Sequence, residues 1–463
     1  MLEKIHFYYT NDLHSDFTHW PRVASFIKEK RAEHEANQES NWLVDIGDHI
    51  DRVSPIAEAF MGKANVALMN QLGYDVVTIG NNEGITLAYE DLYHLYDDAD
   101  FQVVCSNLNS LLHKNPDWLQ PMVYLTSNHG IKIGVLGLTT PYNAFYNLLH
   151  WHVDFPLETL QKYVSYLIET SDIIILLSHL GINEDRQIAE NFPEIDLIIG
   201  GHTHHLLHDG EVVNNTLITA AGKNCEHVGK ITLIWDHSHN CLVHKEAQAI
   251  NITELAKDLQ TESALHDLAK RADDRLSKPI IYTDTSIEVS WFTETKMMKE
   301  LTKTLKEWTG ADCAMLNAGL LLESFKQGYV TYKDVHRICP HPINPCVVSM
   351  KGDELLEVIR ASLSRDLIEL KLKGFGFRGE VIGKMIFSGL DVETEHHPNG
   401  QEYVKAVYYQ GEPLDLEKTY TLATADTFTF GRLLPEIAKS ESKTYFLPEM
   451  IRDLLVKTLK ERF

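Results

Sequence analysis

Short apolar runs alternate with amphipathic segments over roughly the first 235 residues, and this alternation limits the folds open to the chain. The runs are rich in Val and Ile, as strands buried in a parallel sheet are. They occupy residues 5–9, 42–46, 76–79, 101–105, 131–138, 173–177 and 197–199. Between them lie segments with helical periodicity, at residues 20–35, 56–72 and 157–169. Strands that alternate with helices predict an α/β domain built on a buried sheet.

The pattern changes at residues 253–277, which contain no Gly or Pro and place Leu or Ala at helical spacing. This segment predicts one long helix, stopped by Pro279. A mixed pattern then resumes, with helices predicted at 297–308 and 354–363 and strands at 314–316 and 346–350. We therefore expect an N-terminal domain over residues 1–250, a linking helix over 251–278 and a C-terminal α/β domain over 279–463.

Composition excludes several classes of protein. The 463 residues carry a formal net charge of −24, which argues against a nucleic-acid scaffold, since such proteins need basic patches. No apolar run approaches the roughly 20 residues that span a membrane. No secretory signal is visible at the start of the chain, so we expect a cytoplasmic protein without a membrane partner. The six cysteines form no Cys-x-x-Cys pair, and we expect reduced, buried thiols.

Polar side chains follow five of the seven apolar runs. Singly, each Asp or Asn is typical of a turn, and a lone His after a strand is typical of a half-buried side chain. Ligands in open α/β sheets bind at the carboxyl ends of strands, so five such ends predict one site at one edge of one sheet. The strings are Thr10-Asn11-Asp12-Leu13-His14, Gly47-Asp48-His49, Gly80-Asn81-Asn82-Glu83, Ser178-His179-Leu180-Gly181 and Gly200-Gly201-His202-Thr203-His204-His205.

These residue types suit divalent metal ions. A mixed set of imidazole, carboxylate and amide oxygen fits Zn, Mn, Fe or Co, and the absence of thiolates disfavours a structural zinc site. Asp48 has two carboxylate oxygens, with which it is able to bridge two ions. Two divalent ions carry more positive charge than Asp12 and Asp48 carry negative charge, so the loaded site is positive. An acidic protein is therefore able to bind a phosphate ester there.

The ordered set resembles the calcineurin-like binuclear metallophosphoesterases, and the resemblance spans about residues 5–205. The strings Asn317-Ala318-Gly319 and Ser388-Gly389-Leu390 are similar to motifs of the 5′-nucleotidase C-terminal domain. The string Gly-Asn-Asn-Glu-Gly at 80–84 and the absence of a leader most resemble the cytosolic YunD-like branch. The resemblance implies a four-layer α/β/β/α sandwich as the catalytic domain, followed by a C-terminal substrate-binding domain.

The resemblance also implies the metal ligands and the reaction. A first ion would be held by Asp12, His14, Asp48 and His204, and a second by Asp48, Asn81, His179 and His202. A hydroxide that bridges the two ions would attack phosphorus. The implied activity is that of a 5′-nucleotidase-like enzyme, which releases phosphate from nucleotides.

One position departs from the family pattern near the reacting atoms. The nucleotidases usually carry His where this chain has Asn82, and Asp where it has Ile85. Asn82 is still able to donate a hydrogen bond in catalysis, but it carries no proton at neutral pH. His49 and His205 flank the expected ligands and are candidates for second-shell groups that replace it; the alternative for each is a structural or surface histidine.

The C-terminal domain departs from the family as well. The usual Arg after the Asn-x-Gly motif is Leu322, and the Gly-Gly-Asp-Gly-Tyr motif is missing. Two strings offer rings that stack on a base, one with Phe428 and Phe430 and one, at 374–379, with Phe375, Phe377 and Arg378. The alternative for the second string is a glycine-rich turn whose aromatic rings pack in the core.

These predictions leave the substrate less defined than the reaction. The expected partner is a nucleotide or another small phosphoester, with no nucleic acid. A 2′,3′-cyclic nucleotide phosphodiesterase or a nucleotide-sugar pyrophosphohydrolase is the first alternative, because its better leaving group tolerates the missing acid. A nucleotide-binding sensor without turnover is the alternative from another class.

Overall fold

The computed structural model describes residues 1–372, 374, 376–396, 402–431 and 433–463. The chain divides into two compact units, Met1–Ala272 and Asp273–Phe463. The division falls inside helix Leu259–Leu276. Phe375, one of the predicted substrate-binding residues, lies outside the described residues.

The first unit alternates strands and helices as the apolar runs predict. Its strands are β1 (Leu2–Thr10), β2 (Ser40–Asp45), β3 (Val76–Val77), β4 (Gln102–Val104), β5 (Leu108–Ser110), β6 (Leu119–Gln120), β7 (Val123–Thr126), β8 (Lys132–Thr139), β9 (Trp151–Val153), β10 (Ile173–His179), β11 (Leu197–Gly200), β12 (Glu211–Val213), β13 (Thr216–Thr219), β14 (His227–Asp236) and β15 (Cys241–Asn251). Its helices are α1 (Trp20–Asn37), α2 (Pro55–Phe60), α3 (Lys63–Leu72), α4 (Asn81–Thr86), α5 (Tyr89–Tyr93), α6 (Asn143–Tyr146), the 3-10 helix Asn147–Leu149, α7 (Pro156–Thr170), α8 (Ile182–Asn191) and α9 (Leu259–Leu276), which continues into the second unit.

Two large sheets form the centre of the first unit. One has the strand order β15-β14-β1-β2-β3-β4-β6, and the other has the order β12-β13-β11-β10-β8-β7. One apolar cluster joins the inner faces of both sheets, and it includes Ile5 and Val44 of the first sheet and Ile175 and Ile199 of the second. The expectation that all five strand ends lie at the edge of one sheet is therefore wrong, because the five strands divide between two packed sheets.

Helices cover the outer faces of the two sheets. A second apolar cluster packs Leu160 and Val164 of α7 and Ile188 of α8 against β10 and β11. On the outer face of the other sheet, the rings of Tyr8 in β1 and Phe26 in α1 meet edge to face, with centroids 5.8 Å apart. The order helix, sheet, sheet, helix confirms the predicted four-layer sandwich.

Two predicted helices have different bounds in the structure. Residues 56–72 form two helices, α2 and α3, because Met61 and Gly62 between them adopt left-handed backbone with φ of 47° and 79°. The helix predicted from residue 253 begins at Leu259. Asp258 accounts for this start, because its Oδ1 accepts hydrogen bonds from the backbone N–H and the hydroxyl of Thr261, as an N-cap does.

The second unit is a smaller α/β structure. Its main sheet has the order β20-β17-β24-β19-β25, beside the small sheets β21-β22-β23 and β16-β18. One core joins α10, α12 and α15 to this sheet, through residues such as Leu301, Ile359 and Leu455. The elements are β16 (Pro279–Thr283), α10 (Lys296–Thr309), β17 (Cys313–Asn317), the 3-10 helix Ala318–Leu320, β18 (Gly328–Thr331), α11 (Tyr332–Ile338), β19 (Pro345–Lys351), α12 (Gly352–Ser362), α13 (Arg365–Ile368), β20 (Met385–Ser388), β21 (Asp391–His396), β22 (Glu402–Tyr409), β23 (Glu412–Pro413), β24 (Thr419–Ala425), the 3-10 helix Asp426–Thr429, α14 (Pro435–Lys439), β25 (Lys443–Tyr445) and α15 (Ile451–Arg462).

Two further expectations concern the thiols and the membrane. All six cysteines are free, and five of them are buried, whereas Cys241 at the start of β15 is exposed, against the prediction of buried thiols. Within the ranges that the structure describes, no helix has the combination of length and hydropathy that crossing a bilayer requires.

Candidate metal centre

The carboxyl ends of five strands bring seven polar side chains together between the two sheets. Asp12 and His14 follow β1, Asp48 follows β2, and Asn81 begins the helix after β3. From the second sheet, His179 ends β10, and His202 and His204 follow β11. Six of the seven form two groups, Asp12–His14–His204 and Asp48–His179–His202, and within each group the potential ligand atoms lie within 4.8 Å of one another.

The first group surrounds one point with a carboxylate and two imidazoles. His204 Nε2 lies 3.5 Å from Asp12 Oδ1, and His14 Nε2 lies 3.9 Å from the same oxygen. The two Nε2 atoms are 3.2 Å apart. Asp12 is buried, whereas His204 is exposed, so the group opens to solvent on the histidine side.

The second group lies deeper. His179 is fully buried, and its Nε2 lies 3.3 Å from Asp48 Oδ1. The rings of His179 and His202 have centroids 5.2 Å apart. His179 Nδ1 donates to the backbone carbonyl of Ile46 at 2.8 Å, which leaves the lone pair of Nε2 directed into the site.

Asp48 connects the two groups. Its Oδ1 faces His179 at 3.3 Å, and its Oδ2 faces His14 Nε2 at 3.9 Å. The backbone N–H of Asn82 donates to Oδ1 at 2.7 Å, so the carboxylate is held from a third side. One carboxylate therefore presents one oxygen to each group.

Left-handed backbone is concentrated at this site. Five of the seven residues have positive φ: Asp12 at 51°, His14 at 51°, Asp48 at 52°, His202 at 70° and His204 at 56°. Non-glycine residues adopt this conformation seldom and at an energetic cost, and they cluster where a function needs a particular side-chain direction. The loops are shaped to turn these side chains inward.

A close approach of two loops has the same effect. Gly47 has a φ of 89°, and a Cβ atom there would lie 2.2 Å from the backbone nitrogen of Gly80. The loop after β2 and the loop after β3 therefore touch through their backbones. This contact brings Asp48 and Asn81, the residues that follow the two glycines, to one site.

The electrostatics of the centre favour a cation. Burial alone would raise the pKa of Asp48, but the imidazoles of His179 and His14 hold it well below its usual range. Burial alone would lower the pKa of His179, but the carboxylates of Asp48 and Asp12 raise it to about 10. The carboxylates that hold a proton on His179 would also attract a metal ion. Metal ions and protons therefore compete for this site.

The donor set fits divalent metal ions. His179 Nε2 and Asn81 Oδ1 are buried and have no hydrogen-bond partner among the described residues. Buried polar atoms are rarely left without partners, and both atoms are of types that coordinate borderline divalent ions. No thiol is part of either group.

Asn82 lies against a predicted ligand. Its side-chain nitrogen lies 2.9 Å from His14 Nδ1, and Asp51 Oδ2 lies 3.4 Å from the same ring nitrogen. When His14 uses Nε2 for a cation, Nδ1 carries the proton, and Asp51 is the oxygen placed to accept it. The position that carries a catalytic His in the related enzymes here contacts His14.

Two residues that the sequence patterns did not single out complete the site. Glu83 is fully buried and accepts hydrogen bonds from the backbone N–H groups of Asp48, Ile50 and Gly80 at 3.0, 2.9 and 3.0 Å. The hydroxyl of Tyr142 lies 3.1 Å from His202 Nε2. A signal was present for both residues, because Tyr142 follows β8, a neighbour of β10, by three residues, and Glu83 belongs to the string that follows β3.

The two predicted second-shell histidines contact other groups. His49 is buried among the rings of Phe17, Trp20 and Tyr74, and its burial lowers its pKa to about 3, so it stays neutral. His205 is exposed, and its Nδ1 lies 2.9 Å from the hydroxyl of Thr203. Neither contact reaches a predicted metal ligand.

In the second unit, two of the predicted base-stacking rings lie in the core. Phe428 is 0% exposed and Phe377 is 2% exposed, and both belong to the apolar cluster of this unit. The prediction that these rings stack on a base does not fit their burial, because neither has a free face. Phe430 is half-buried and Arg378 is exposed, so these two stay candidates.

A buried histidine accounts for the packing of Phe377. His341 Nε2 donates to the carbonyl of Leu320 at 2.9 Å, and its Nδ1 accepts from the backbone N–H of Arg378 at 2.9 Å. The ring of Phe377 stacks on the imidazole with centroids 5.1 Å apart. Phe377 is thus anchored in the core beside Arg378, which fits the alternative of a turn for this one ring.

Comparison with known proteins gives separate matches for the N-terminal and the C-terminal parts of the chain. A family model of the calcineurin-like phosphoesterases matches residues 5–206, and a model of the 5′-nucleotidase C-terminal domain matches residues 272–432. The metallophosphoesterase YunD of Bacillus subtilis (strain 168) is 42% identical over 462 residues, which cover 100% of both chains. A 5′-nucleotidase of Vibrio cholerae is 24% identical over 77% of this chain and 75% of its own. The structure of the NAD nucleotidase of Haemophilus influenzae has the same fold, with a TM-score of 0.68 at 16% identity over 99% of this chain and 96% of its own.

Replacing Glu83 tests whether its carboxylate supports the ligand loops. In Glu83→Gln one acceptor oxygen becomes an NH2 group that opposes a backbone N–H, so we expect a loss of about 1–3 kcal/mol of stability. Weaker retention of metal should accompany it, because the backbone of Asp48 and Gly80 loses support. Urea unfolding and elemental analysis measure both effects. Glu35→Gln, at an exposed glutamate of α1, is the control, and equal behaviour of the two variants would contradict this role.

A buried carboxyl of the second unit predicts a pH dependence of stability. Burial raises the pKa of Asp426 to about 7, and its Oδ1 has no hydrogen-bond partner among the residues that the structure describes. Because the folded value lies above the unfolded value of 3.8, its stabilising contribution is complete below the unfolded value and is lost as the pH rises through about 7. Asp426→Asn does not titrate, so its melting temperature relative to wild type should be higher at pH 8 than at pH 5. The exposed Asp366→Asn is the control, and a pH-independent difference for Asp426→Asn would refute the prediction.

Proposed function

The chain belongs to the calcineurin-like phosphoesterases that carry a 5′-nucleotidase C-terminal domain, and from this membership we propose that it is a metal-dependent hydrolase that releases phosphate from nucleotides. The position of Asp48 carries the proposal. One buried carboxylate with an oxygen toward each of two His and Asp groups is the arrangement that two adjacent divalent ions need.

We assign the ligands by the two groups. Asp12, His14, Asp48 and His204 would hold one ion, and Asp48, Asn81, His179 and His202 would hold the other. Divalent ions in such a site supply Lewis acidity toward phosphoryl oxygens and a hydroxide nucleophile at neutral pH. Mn, Zn, Fe and Co all accept these ligands, so the identity of the metal is a matter for elemental analysis.

The chain's own residues orient this site. Asp51 and the carbonyl of Ile46 hold the outer nitrogens of His14 and His179, which directs both Nε2 atoms inward. The hydroxyl of Tyr142 holds the outer face of His202 and is 41% exposed as a residue, so it also borders the opening through which a phosphoester would enter. With metal ions bound, the site is locally positive, so it binds an anion although the protein as a whole is acidic.

Asn82 favours substrates with good leaving groups. A phosphomonoester needs a proton on its leaving alkoxide, and Asn82 is unable to supply one. A cyclic nucleotide or a nucleotide pyrophosphate has a better leaving group and depends less on this proton. A phosphodiesterase or pyrophosphohydrolase activity is therefore the second candidate. A metal-loaded protein that hydrolyses none of these substrates would instead indicate a sensor that binds nucleotides without turnover.

We propose that the successive parts of the chain have separate functions. Residues 1–250 would carry the metals and the reaction, 251–278 would link the domains, and 279–463 would bind the nucleoside. Arg378 is exposed and Phe430 is half-buried, so these side chains offer a charge and a ring to the substrate. Phe375 remains a candidate in the same string.

Substitution of the central ligands tests the metal-dependent reaction. Asp48→Asn and His202→Ala should each lower phosphate release by about 10²–10³-fold or more, because each removes charge stabilisation of the transition state. Both variants should keep the far-UV circular dichroism of the wild type. The assay measures phosphate from nucleoside monophosphates, 2′,3′-cyclic nucleotides and nucleotide sugars. The exposed His266→Ala on α9 is the control, and full turnover by either ligand variant would exclude the proposed site.

Restoring the family's histidine tests the role of position 82. Asn82→His should raise the rate on nucleoside monophosphates, by up to the factor of about 10²–10⁴ that general acid catalysis contributes. The rate on cyclic nucleotides should change less. Asn82→Ala, which removes the contact to His14 without adding an acid, is the matched control. An unchanged monophosphate rate in Asn82→His would show that the missing acid does not limit this enzyme.

A further inference from the structure

A second cluster of metal-ligating side chains lies on the outer face of the first sheet. His6 is in β1, His34 is in the last turn of α1, and Glu39 directly precedes β2. Strand alternation turns Ile5 and Phe7 toward the inner core and His6 toward the helix layer. His6 is 5% exposed and His34 is 4% exposed.

Both imidazoles direct one nitrogen toward the same carboxylate. Glu39 Oε2 lies 3.3 Å from His6 Nε2 and 2.9 Å from His34 Nδ1. The two rings stack with centroids 4.1 Å apart. His6 Nε2 is buried and has no hydrogen-bond partner among the residues that the structure describes, so its lone pair is available to the cluster when Nδ1 carries the proton.

Each ring is also held from its other side. The hydroxyl of Tyr8 lies 2.8 Å from His34 Nε2, and the hydroxyl of Thr232 lies 3.3 Å from His6 Nδ1. When these outer nitrogens carry the protons and donate them to the hydroxyl oxygens, both inner nitrogens present lone pairs. Metal-binding histidines are held in this way, by an oxygen at the nitrogen that does not bind the ion.

The spacing of the inner atoms suits a small divalent ion. Ligands at about 2.0–2.1 Å from zinc in tetrahedral geometry lie about 3.3 Å apart, and the separation of His6 Nε2 and Glu39 Oε2 is 3.3 Å. All three potential ligand atoms lie within 4.8 Å of one another. The side chain of Glu39 is 22% exposed, so solvent reaches the cluster and is able to fill a remaining coordination position.

Some of the charges around the cluster favour a bound cation, and others oppose it. Burial, with the neighbouring His34, lowers the pKa of His6 to about 4, so His6 is a neutral ligand at neutral pH. Burial would raise the pKa of Glu39, but the adjacent histidines and Lys4 lower it, so the carboxylate is charged. Lys4 Nζ lies 3.9 Å from Glu39 Oε1 and opposes a cation, but its side chain is 58% exposed and is free to turn into solvent. Lys230 also lowers the pKa of His6 and opposes a cation there.

We propose that His6, His34 and Glu39 form a further metal site, which binds a borderline divalent ion such as Zn²⁺ with water in the open position. It is separate from the Asp48 centre, because His6 lies four residues, or about 13 Å, before the end of β1, whereas Asp12 follows that end. The ion would join the end of α1 and the start of β2 to the middle of β1. This role is structural and does not depend on the proposed hydrolase activity.

Zinc stoichiometry of the full chain tests this site. Chelator-treated protein is titrated with Zn²⁺ alone, and bound metal is counted by elemental analysis after removal of free ions. His6→Gln and Glu39→Gln should each bind one zinc fewer per chain than wild type, with unchanged phosphate release. His237→Gln is the matched control, because His237 pairs with Glu3 at 2.8 Å and no third His, Cys, Asp or Glu in the described part of the chain completes a group with them. The same zinc count in wild type and Glu39→Gln would overturn the proposal.

Thermal unfolding separates a metal site from a network of hydrogen bonds. The Asp48→Asn/His202→Ala protein, in which the other centre is disabled, should still gain melting temperature on addition of zinc, and Glu39→Gln in this background should reduce that gain. Tyr8→Phe should weaken zinc binding about 10–100-fold, the usual effect of removing an outer partner. Lys4→Gln should strengthen it by removing a positive charge. A zinc response that is the same with and without Glu39→Gln would show that the cluster is only a hydrogen-bond network.

Discussion

The carboxylate of Asp48 is the interaction on which the rest of this structure depends. Its two oxygens face two groups of imidazoles and carboxylates, one at 3.3 Å and the other at 3.9 Å. This position requires a left-handed residue after β2, the contact of Gly47 with Gly80, and the bonds that Glu83 accepts from three backbone N–H groups. The loops are therefore built around one side chain, and the fold supplies the rigid strand ends from which they start.

The site is costly to fold, and the sandwich offsets that cost. Left-handed backbone at five ligand residues and the burial of Asp12 and Asp48 oppose folding. The apolar cluster between the two sheets, and the second cluster under α7 and α8, stabilise the strands whose ends carry these residues. Metal ions would remove part of the cost by satisfying His179 Nε2 and Asn81 Oδ1, two buried atoms that have no hydrogen-bond partner in the part of the chain that the structure describes. Catalytic geometry is thus maintained by apolar packing at a distance from it.

The residue at position 82 bears on the choice of substrate rather than on the identity of the predicted metal ligands. The predicted metal ligands follow the family pattern, whereas the side chain next to them is an amide that contacts His14. The second unit also departs from the predicted substrate contacts, since Phe377 and Phe428 are part of its core, whereas Phe430 and Arg378 keep accessible groups. The reaction is therefore better defined than the molecule on which it acts.

The sequence by itself determined the alternation of strands and helices and the residues that end five strands, because burial and turn chemistry act locally and leave periodic patterns. It also predicted a set of candidate metal ligands, six of which the structure brings together in two groups. Only the tertiary structure decided that these ends divide between two sheets, that Glu83 supports the loops, that Tyr142 contacts His202 and that Phe428 is buried. Each of these depends on contacts between segments far apart in the chain, and the free energy of such contacts is set by packing and desolvation, which no local pattern records.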